Sequence, residues 1–290
     1  MKSKVLVFLL MLCIAVAVAV GSARAAPVLL DGVSSTVYYD ADKTGGDSNL
    51  CWAASASNVL AWSGWGGLNT DPALGDGNNE DAVYSHLRSD FSQANLNQSG
   101  LSKDAWQWWF TEPGLGSYSF NDYYSSVDPI NFDNPSDPNY SLYTDDFIQT
   151  YIGVEGYGTV LSIQRWVSGD IYLSHAITLW GYEDTNSDGT IDTIYATNSD
   201  DGGDVWQTYG LLIGSDKGSF PLYNDVWFLD GYTSNQSEDW WFITRLQGLA
   251  PYEELGPGPV EPVPEPATIF LLGSGLVGLF GIGRRKFMRG

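Results

Sequence analysis

Cysteine, histidine and cationic side chains are scarce in this chain of 290 residues: two Cys, two His, and 13 Lys plus Arg against 35 Asp plus Glu. A formal charge of −22 excludes nucleic acid as a partner, because phosphate binding needs a basic footprint. It suits a soluble extracellular protein that resists aggregation. The hydrophobic share of 43% excludes disorder across the middle of the chain. Cys13 lies in an N-terminal apolar run, so only Cys51 remains once that run is removed, and no internal disulfide can form. An exported domain usually pairs its cysteines or has none. A single leftover cysteine points to a reactive thiol or an intermolecular bond, with an inert buried thiol as the plain alternative.

The two ends are targeting segments. Lys2 and Lys4 precede an apolar run over 5–20, and Ala23-Arg24-Ala25 places small residues at the cleavage positions. Residues 1–25 therefore read as a secretory signal cut after Ala25, rather than as an uncleaved anchor. Residues 251–262 form a Pro/Gly-rich linker. Then come Val263-Pro264-Glu265-Pro266, an apolar stretch over 267–283, and Arg284-Arg285-Lys286. The stretch just suffices to cross a bilayer as a helix, with the basic cluster on the cytoplasmic side. These three parts, in this order over 263–290, resemble the PEP-CTERM sorting tail of Gram-negative bacteria. The resemblance implies an exosortase, a membrane transpeptidase, as a partner at the tail. It also implies transient anchoring through 267–283 and delivery to the cell surface or extracellular matrix.

Between the ends, 26–250 leaves about 225 residues, enough for one large domain. Residues 28–40 read as a short strand. Residues 51–62 favour a helix, with Ser48 or Asn49 as N-cap and with Trp52, Ser55, Val59 and Trp62 on one face. Further helices are expected over 81–91, 103–110 and 144–152, with an irregular stretch over 111–139. Strands are expected over 158–167, 175–182, 193–197, 206–209 and 239–246. Helices first and antiparallel strands afterwards predict an α+β domain.

The helix places Cys51 at or near its first turn, where exposed N–H groups and the helix dipole favour the thiolate, the nucleophilic form. A base must be one of two histidines. His175 starts a strand, and the next strand runs into Asn198. A hairpin between them would return Asn198 towards the imidazole and fix its tautomer, giving Cys51, His175 and Asn198 in order. Asp200 is the alternative third catalytic residue. His86, followed by Leu87-Arg88 in a polar helix, reads as a surface histidine.

Cys51-Trp52-Ala53-Ala54-Ser55, followed by Asn58 and Trp62, resembles the catalytic helix of papain-like peptidases. The segments 38–44, 51–62 and 175–200 together are similar to the streptococcal immunoglobulin-degrading (Ide/Mac) cysteine proteases. The resemblance implies a papain-like fold, with an N-terminal catalytic helix packed on a C-terminal antiparallel sheet. It also implies that Lys43 helps form the oxyanion hole, with the Cys51 N–H as second donor. That family's third catalytic residue is Asp, whereas Asn198 stands at the matching place; papain uses Asn.

No cofactor and no metal are assigned. Asp184, Asn186, Asp188 and Asp192 fit the start of a calcium loop with Gly189 at the sixth position, but Tyr195 stands where the closing Glu belongs. An Asx- and Gly-rich turn is the plain reading. The expected function is an exported cysteine endopeptidase acting on peptide or protein. Alternatives are a non-catalytic extracellular-matrix or adhesion protein and a transglutaminase-like or amidase enzyme.

Overall fold

β-branched and aromatic residues crowd the second half of the chain, and there they form strands that pair antiparallel throughout. The computed structural model describes residues 25–44, 46–128, 144–167, 170–200, 204–213, 227–232 and 240–252. The strands are β1 (Val28–Leu29), β2 (Tyr124–Val127), β3 (Gly158–Val167), β4 (Asp170–Glu183), β5 (Thr193–Thr197), β6 (Gln207–Ile213), β7 (Trp227–Asp230) and β8 (Trp240–Leu249). Six of them run in the order β4-β3-β8-β7-β6-β5, and β5 pairs back onto β4, closing a barrel. β1 is added to β4 and β2 to β8.

This ring overturns the expected papain-like α+β fold. The protein is a closed antiparallel barrel with extra strands, mostly sheet, and not a helix packed on an open C-terminal sheet. The deciding element is β4, 14 residues long. It pairs with β3 from Val167↔Asp170 to Thr159↔Leu179, and with β5 from Thr178↔Thr197 to Glu183↔Thr193. A register shift between Leu179 and Gly181 bends the strand where the second partner takes over. The run 175–182 shows only the middle of this strand. Closure also needs β3 to pair with the distant β8, and no local pattern encodes that register.

The helices are α1 (Cys51–Trp62), α2 (Trp65–Leu68), α3 (Glu80–Asp90), α4 (Ser92–Asn95), α5 (Ser102–Trp109) and α6 (Thr144–Ile148), which runs on as a π-helical turn over Gln149–Val154. Residues 52–61 of α1 are all buried, so the helix is covered on every side rather than along one stripe. Its Ala and Ser side chains let neighbouring elements come close. Alternation along the strands splits the interior in two. Val160 and Ala176 join the core under the helices, while Leu161, Ile163 and Ile177 join the core of the barrel. A hydrogen-bonded seam joins the two parts: Asn58 Nδ2 on α1 donates to Thr178 Oγ1 on β4 at 3.0 Å.

Local differences from the expectations have local causes. The strand over 28–40 shrinks to β1 and a bridge between Ser34 and Val37. Neither Ser48 nor Asn49 caps α1; Leu50 stands at that position without a side-chain bond. β7 was not foreseen at all. The signal segment 1–24 and the tail from 253, including 267–283, lie outside the described residues. Among the described residues, no helix is long and apolar enough to cross a membrane.

Candidate active site

Cys51 opens α1, with Leu50 accepting from the N–H groups of Ala53 and Ala54 at 3.0 Å each. The Cys51 N–H itself has no acceptor among the described residues, as the first turn of a helix leaves it. The loop before it is pinned from two sides. The buried Asp47 carboxylate accepts from Thr44 Oγ1 at 2.7 Å, Arg88 Nε at 2.9 Å and Tyr84 Oη at 3.1 Å, the last two on α3. Asn97 donates to the Gly46 carbonyl at 2.7 Å and accepts from the Asn49 N–H at 3.1 Å. Asn97 sits at φ 50, a left-handed conformation that Asn tolerates better than most residues.

Burial raises the Asp47 pKa, but the donors from Thr44, Arg88 and Tyr84 outweigh it and hold the carboxyl below its ordinary range. A depressed folded pKa means that this stabilisation is complete above the unfolded carboxylate value and is lost as pH falls through the folded one. Asp47→Asn is therefore expected to cost about 1–3 kcal/mol at neutral pH and progressively less in acid. Denaturant titrations at pH 7 and pH 3 check this.

His175 stands on β4, and the hairpin to β5 brings Asn198 to it. Asn198 Oδ1 lies 2.7 Å from His175 Nε2. With Nε2–H donated there, Nδ1 is the nitrogen left for Cys51. Asn198 Nδ2 donates in turn to Tyr232 Oη at 3.3 Å. The Tyr232 ring packs 6.1 Å from His175 and 5.0 Å from Trp241, so aromatic walls hold both imidazole and amide in place. Burial pushes the Tyr232 phenol far above its ordinary pKa, so it remains neutral.

Asp200 does not take the orienting place. Its carboxylate lies 3.4 Å from His175 Nδ1, on the thiol side of the ring, and it also pairs with the Lys43 ammonium. Lys43 is nearly buried, at the end of a segment fixed by three bonds. Ala41 N–H donates to Asn58 Oδ1 at 2.7 Å, Thr197 Oγ1 to the Tyr39 carbonyl at 3.0 Å, and Val205 N–H to Asp40 Oδ2 at 3.1 Å. Asn58 thus ties the Lys43 segment to the barrel seam. The sequence marks Asn58 through the likeness of its helix to a catalytic one, without a role, and it does not mark Asp47 or Tyr232.

The electrostatics of the pair work together. Burial opposes ionisation of Cys51, but its hydrogen bond to His175, the charges of His175 and Lys43, and the Ala176 N–H lower the thiol pKa overall. Burial likewise opposes the imidazolium, but Cys51, Asp200 and Asn198 raise the His175 pKa. The arrangement favours thiolate and imidazolium side by side. It opens onto a cleft of about 780 Å³. The helical layer contributes Trp52 and Gly100 to its lining, and the barrel contributes Tyr232, Trp241 and Arg245.

The calcium-loop residues occupy themselves. Asp184 accepts from the Gly189 N–H at 2.8 Å, Asn186 from the Asp188 N–H at 2.8 Å, and Asp192 from the Thr185 N–H at 2.7 Å. These are the bonds of an Asx-type turn. His86, expected at the surface, is buried at 3% exposure between Trp108 and Trp109.

The tail matches a known family model. Residues 262–286 match the PEP-CTERM protein-sorting motif. The motif marks an exported protein, sorted at the envelope of Gram-negative bacteria and recognised by an exosortase-type sorting enzyme. No curated protein matches the chain. Beyond the three short segments, nothing joins it to the papain-like or Ide/Mac peptidases, and the barrel separates it from the fold those names imply.

Proposed function

We propose that this PEP-CTERM-bearing protein is an exported cysteine endopeptidase working through an acyl-enzyme on Cys51. One observation carries the reading: a thiol at a helix N-terminus shares a cleft with an imidazole that favours its thiolate, and that imidazole is fixed by an amide at 2.7 Å. That is the arrangement of nucleophile, base and orienting group from which acyl transfer proceeds, whatever the surrounding fold.

In this mechanism the Cys51 thiolate attacks the scissile carbonyl carbon and an S–C bond forms. The carbonyl electrons move to oxygen, where the free Cys51 N–H and the Lys43 ammonium are the donors within reach. Lys43 must loosen its pair with Asp200 to serve there. Collapse breaks the C–N bond, and the imidazolium gives its proton to the leaving amine. His175 then deprotonates a water that attacks the thioester, releasing the acid and restoring the thiolate. The cleft, open and flanked by aromatic side chains, suits an extended peptide. The apolar tail stretch 267–283 would hold the chain at the membrane until an exosortase acts, so that the substrate is a peptide or protein met at the cell surface or in the matrix.

Hydrolysis of labelled casein that disappears in Cys51→Ala, with unchanged circular dichroism, is the expected result. Full activity in that variant would overturn the reading. Asn198 and Asp200 should separate by kind of effect. Asn198→Ala is expected to lower kcat by about two orders of magnitude through loss of imidazole orientation. Asp200→Asn removes a charge that raises the His175 pKa, so its alkaline limb is expected to move to lower pH. Paired pH–rate profiles distinguish the two.

A further inference from the structure

His86 has no part in the chemistry above, yet it is a buried imidazole surrounded by carboxylates. Its Nε2 lies 3.3 Å from Glu112 Oε2, and its Nδ1 lies 3.0 Å from Asp90 Oδ2, one turn further along α3. Asp71 completes the group: one ligand atom each from Asp71, His86 and Glu112 falls within 4.8 Å of the other two. The three come from separate segments, the loop before α3, α3 itself, and the turn after α5. None of them lines the cleft at Cys51.

Charge makes this group unusual. Three carboxylates face one imidazole, which can bring at most one positive charge. Among the described residues, no Lys or Arg pairs with Asp71, Asp90 or Glu112. Asp71 does use Oδ1 to accept from the Ala73 N–H at 2.8 Å, which leaves its other oxygen. Of the two imidazole nitrogens, Nε2 is hydrogen-bonded to Glu112 Oε2 within the group. The other, Nδ1, approaches Asp90 without the alignment of a hydrogen bond, although the side chain is buried. Carboxylates gathered around a buried imidazole, with no cation of the protein beside them, leave room for a cation from outside it.

We infer that Asp71, His86 and Glu112 bind one divalent cation of the zinc class, with Asp90 holding the His86 ring from behind. The donor set, one imidazole nitrogen and two carboxylate oxygens, suits Zn²⁺, Co²⁺ or Mn²⁺ rather than a soft thiolate-seeking metal. A nitrogen–oxygen separation of 3.3 Å is what two ligands about 2.0–2.1 Å from a tetrahedral ion present to each other. A carboxylate against the second nitrogen is the usual support for a metal-bound histidine. The ion would tie the loop before α3 and the turn after α5 to the helix whose Tyr84 and Arg88 pin Asp47, and so the loop ahead of Cys51.

The test uses the full-length protein, purified in mild detergent, stripped with chelator and titrated with Zn²⁺ and with Co²⁺. One equivalent is expected to bind, to raise the melting temperature and, as Co²⁺, to quench tryptophan fluorescence, because Trp108 and Trp109 lie 5.7 and 5.6 Å from the His86 ring. Asp71→Asn and Glu112→Gln keep their size and are expected to weaken binding at least about tenfold. Cys51→Ala is expected to bind as the parent does. Two results would overturn the inference: no saturable binding to the parent, or binding that survives both carboxamide variants and vanishes with Cys51→Ala. The second would place the metal at the thiol instead.

Discussion

At pH 6, Cys51 is expected to react with iodoacetamide about two orders of magnitude faster than an ordinary thiol. A thiol with pKa about 8.5 is roughly 0.3% ionised at that pH. In the folded protein the Cys51 pKa is lowered and the His175 pKa raised, each chiefly by the other once burial has been overcome. Both shifts favour thiolate beside imidazolium, and the titration belongs to the two groups together. The labelling rate should therefore stay nearly flat from mild acid to neutrality, falling only when acid protonates the thiolate. His175→Ala removes both the hydrogen bond and the charge, while burial continues to disfavour the thiolate. That variant should label at pH 6 about a hundredfold more slowly and regain rate only in alkali. A thiol that follows an ordinary titration and ignores His175 would leave Cys51 structural, and the surface-binding reading of the exported chain would then be preferred.

The largest loss of stability is expected at Trp65, in the core under the helices. The residue is fully buried, and its ring lies 4.6 Å from Phe110, 4.6 Å from Tyr123, 5.2 Å from Tyr118 and 5.3 Å from Tyr252. Its Nε1 donates to the Ala250 carbonyl at 2.7 Å, just past the end of β8. One side chain thus joins the helical layer to the last strand of the barrel. Trp65→Ala should cost about 3–5 kcal/mol for the cavity, with about 1 kcal/mol more for the orphaned carbonyl. For a domain of this size that is a fall in Tm of roughly 10–15 °C. Trp65→Phe keeps most of the packing and should lose about half as much. Thermal melts followed by circular dichroism decide; a shift of only a degree or two would show that the aromatic cluster melts separately from the barrel.

Residue types and order were readable wherever scarcity narrowed the choice. With one cysteine outside the signal and two histidines, Cys51 and His175 had few rivals, and the β-rich runs over 158–167 and 193–197 show their pairing propensity locally. What the sequence hid is everything that depends on long-range register. The β4–β5 hairpin was legible, but the pairing of β3 with β8 that lets the ring close has no linear signature, and neither does the unforeseen β7. His86 was misread because its neighbours Leu87 and Arg88 suggest a polar helix, whereas packing from Trp108 and Trp109 across α5 covers it. The supporting roles of Asn58, Asp47 and Tyr232 were missed for a related reason. Their partners lie 120, 41 and 34 positions away, too far for spacing rules to connect them.

Barrel closure has a consequence for the exporting cell. The β4–β5 pairing that closes the ring is also the pairing that sets Asn198 against His175, and Asn58 reaches Thr178 only when that wall stands beside α1. His175 and Asn198 meet within one hairpin, but Cys51 reaches them only when α1 packs against β4, a contact between distant parts of the chain. A chain still threading through the export machinery carries a thiol but no activated one, so the architecture withholds reactivity until the protein has left the compartment where it was made. During refolding, thiol activation should appear together with the final cooperative rise in barrel signal, never ahead of it.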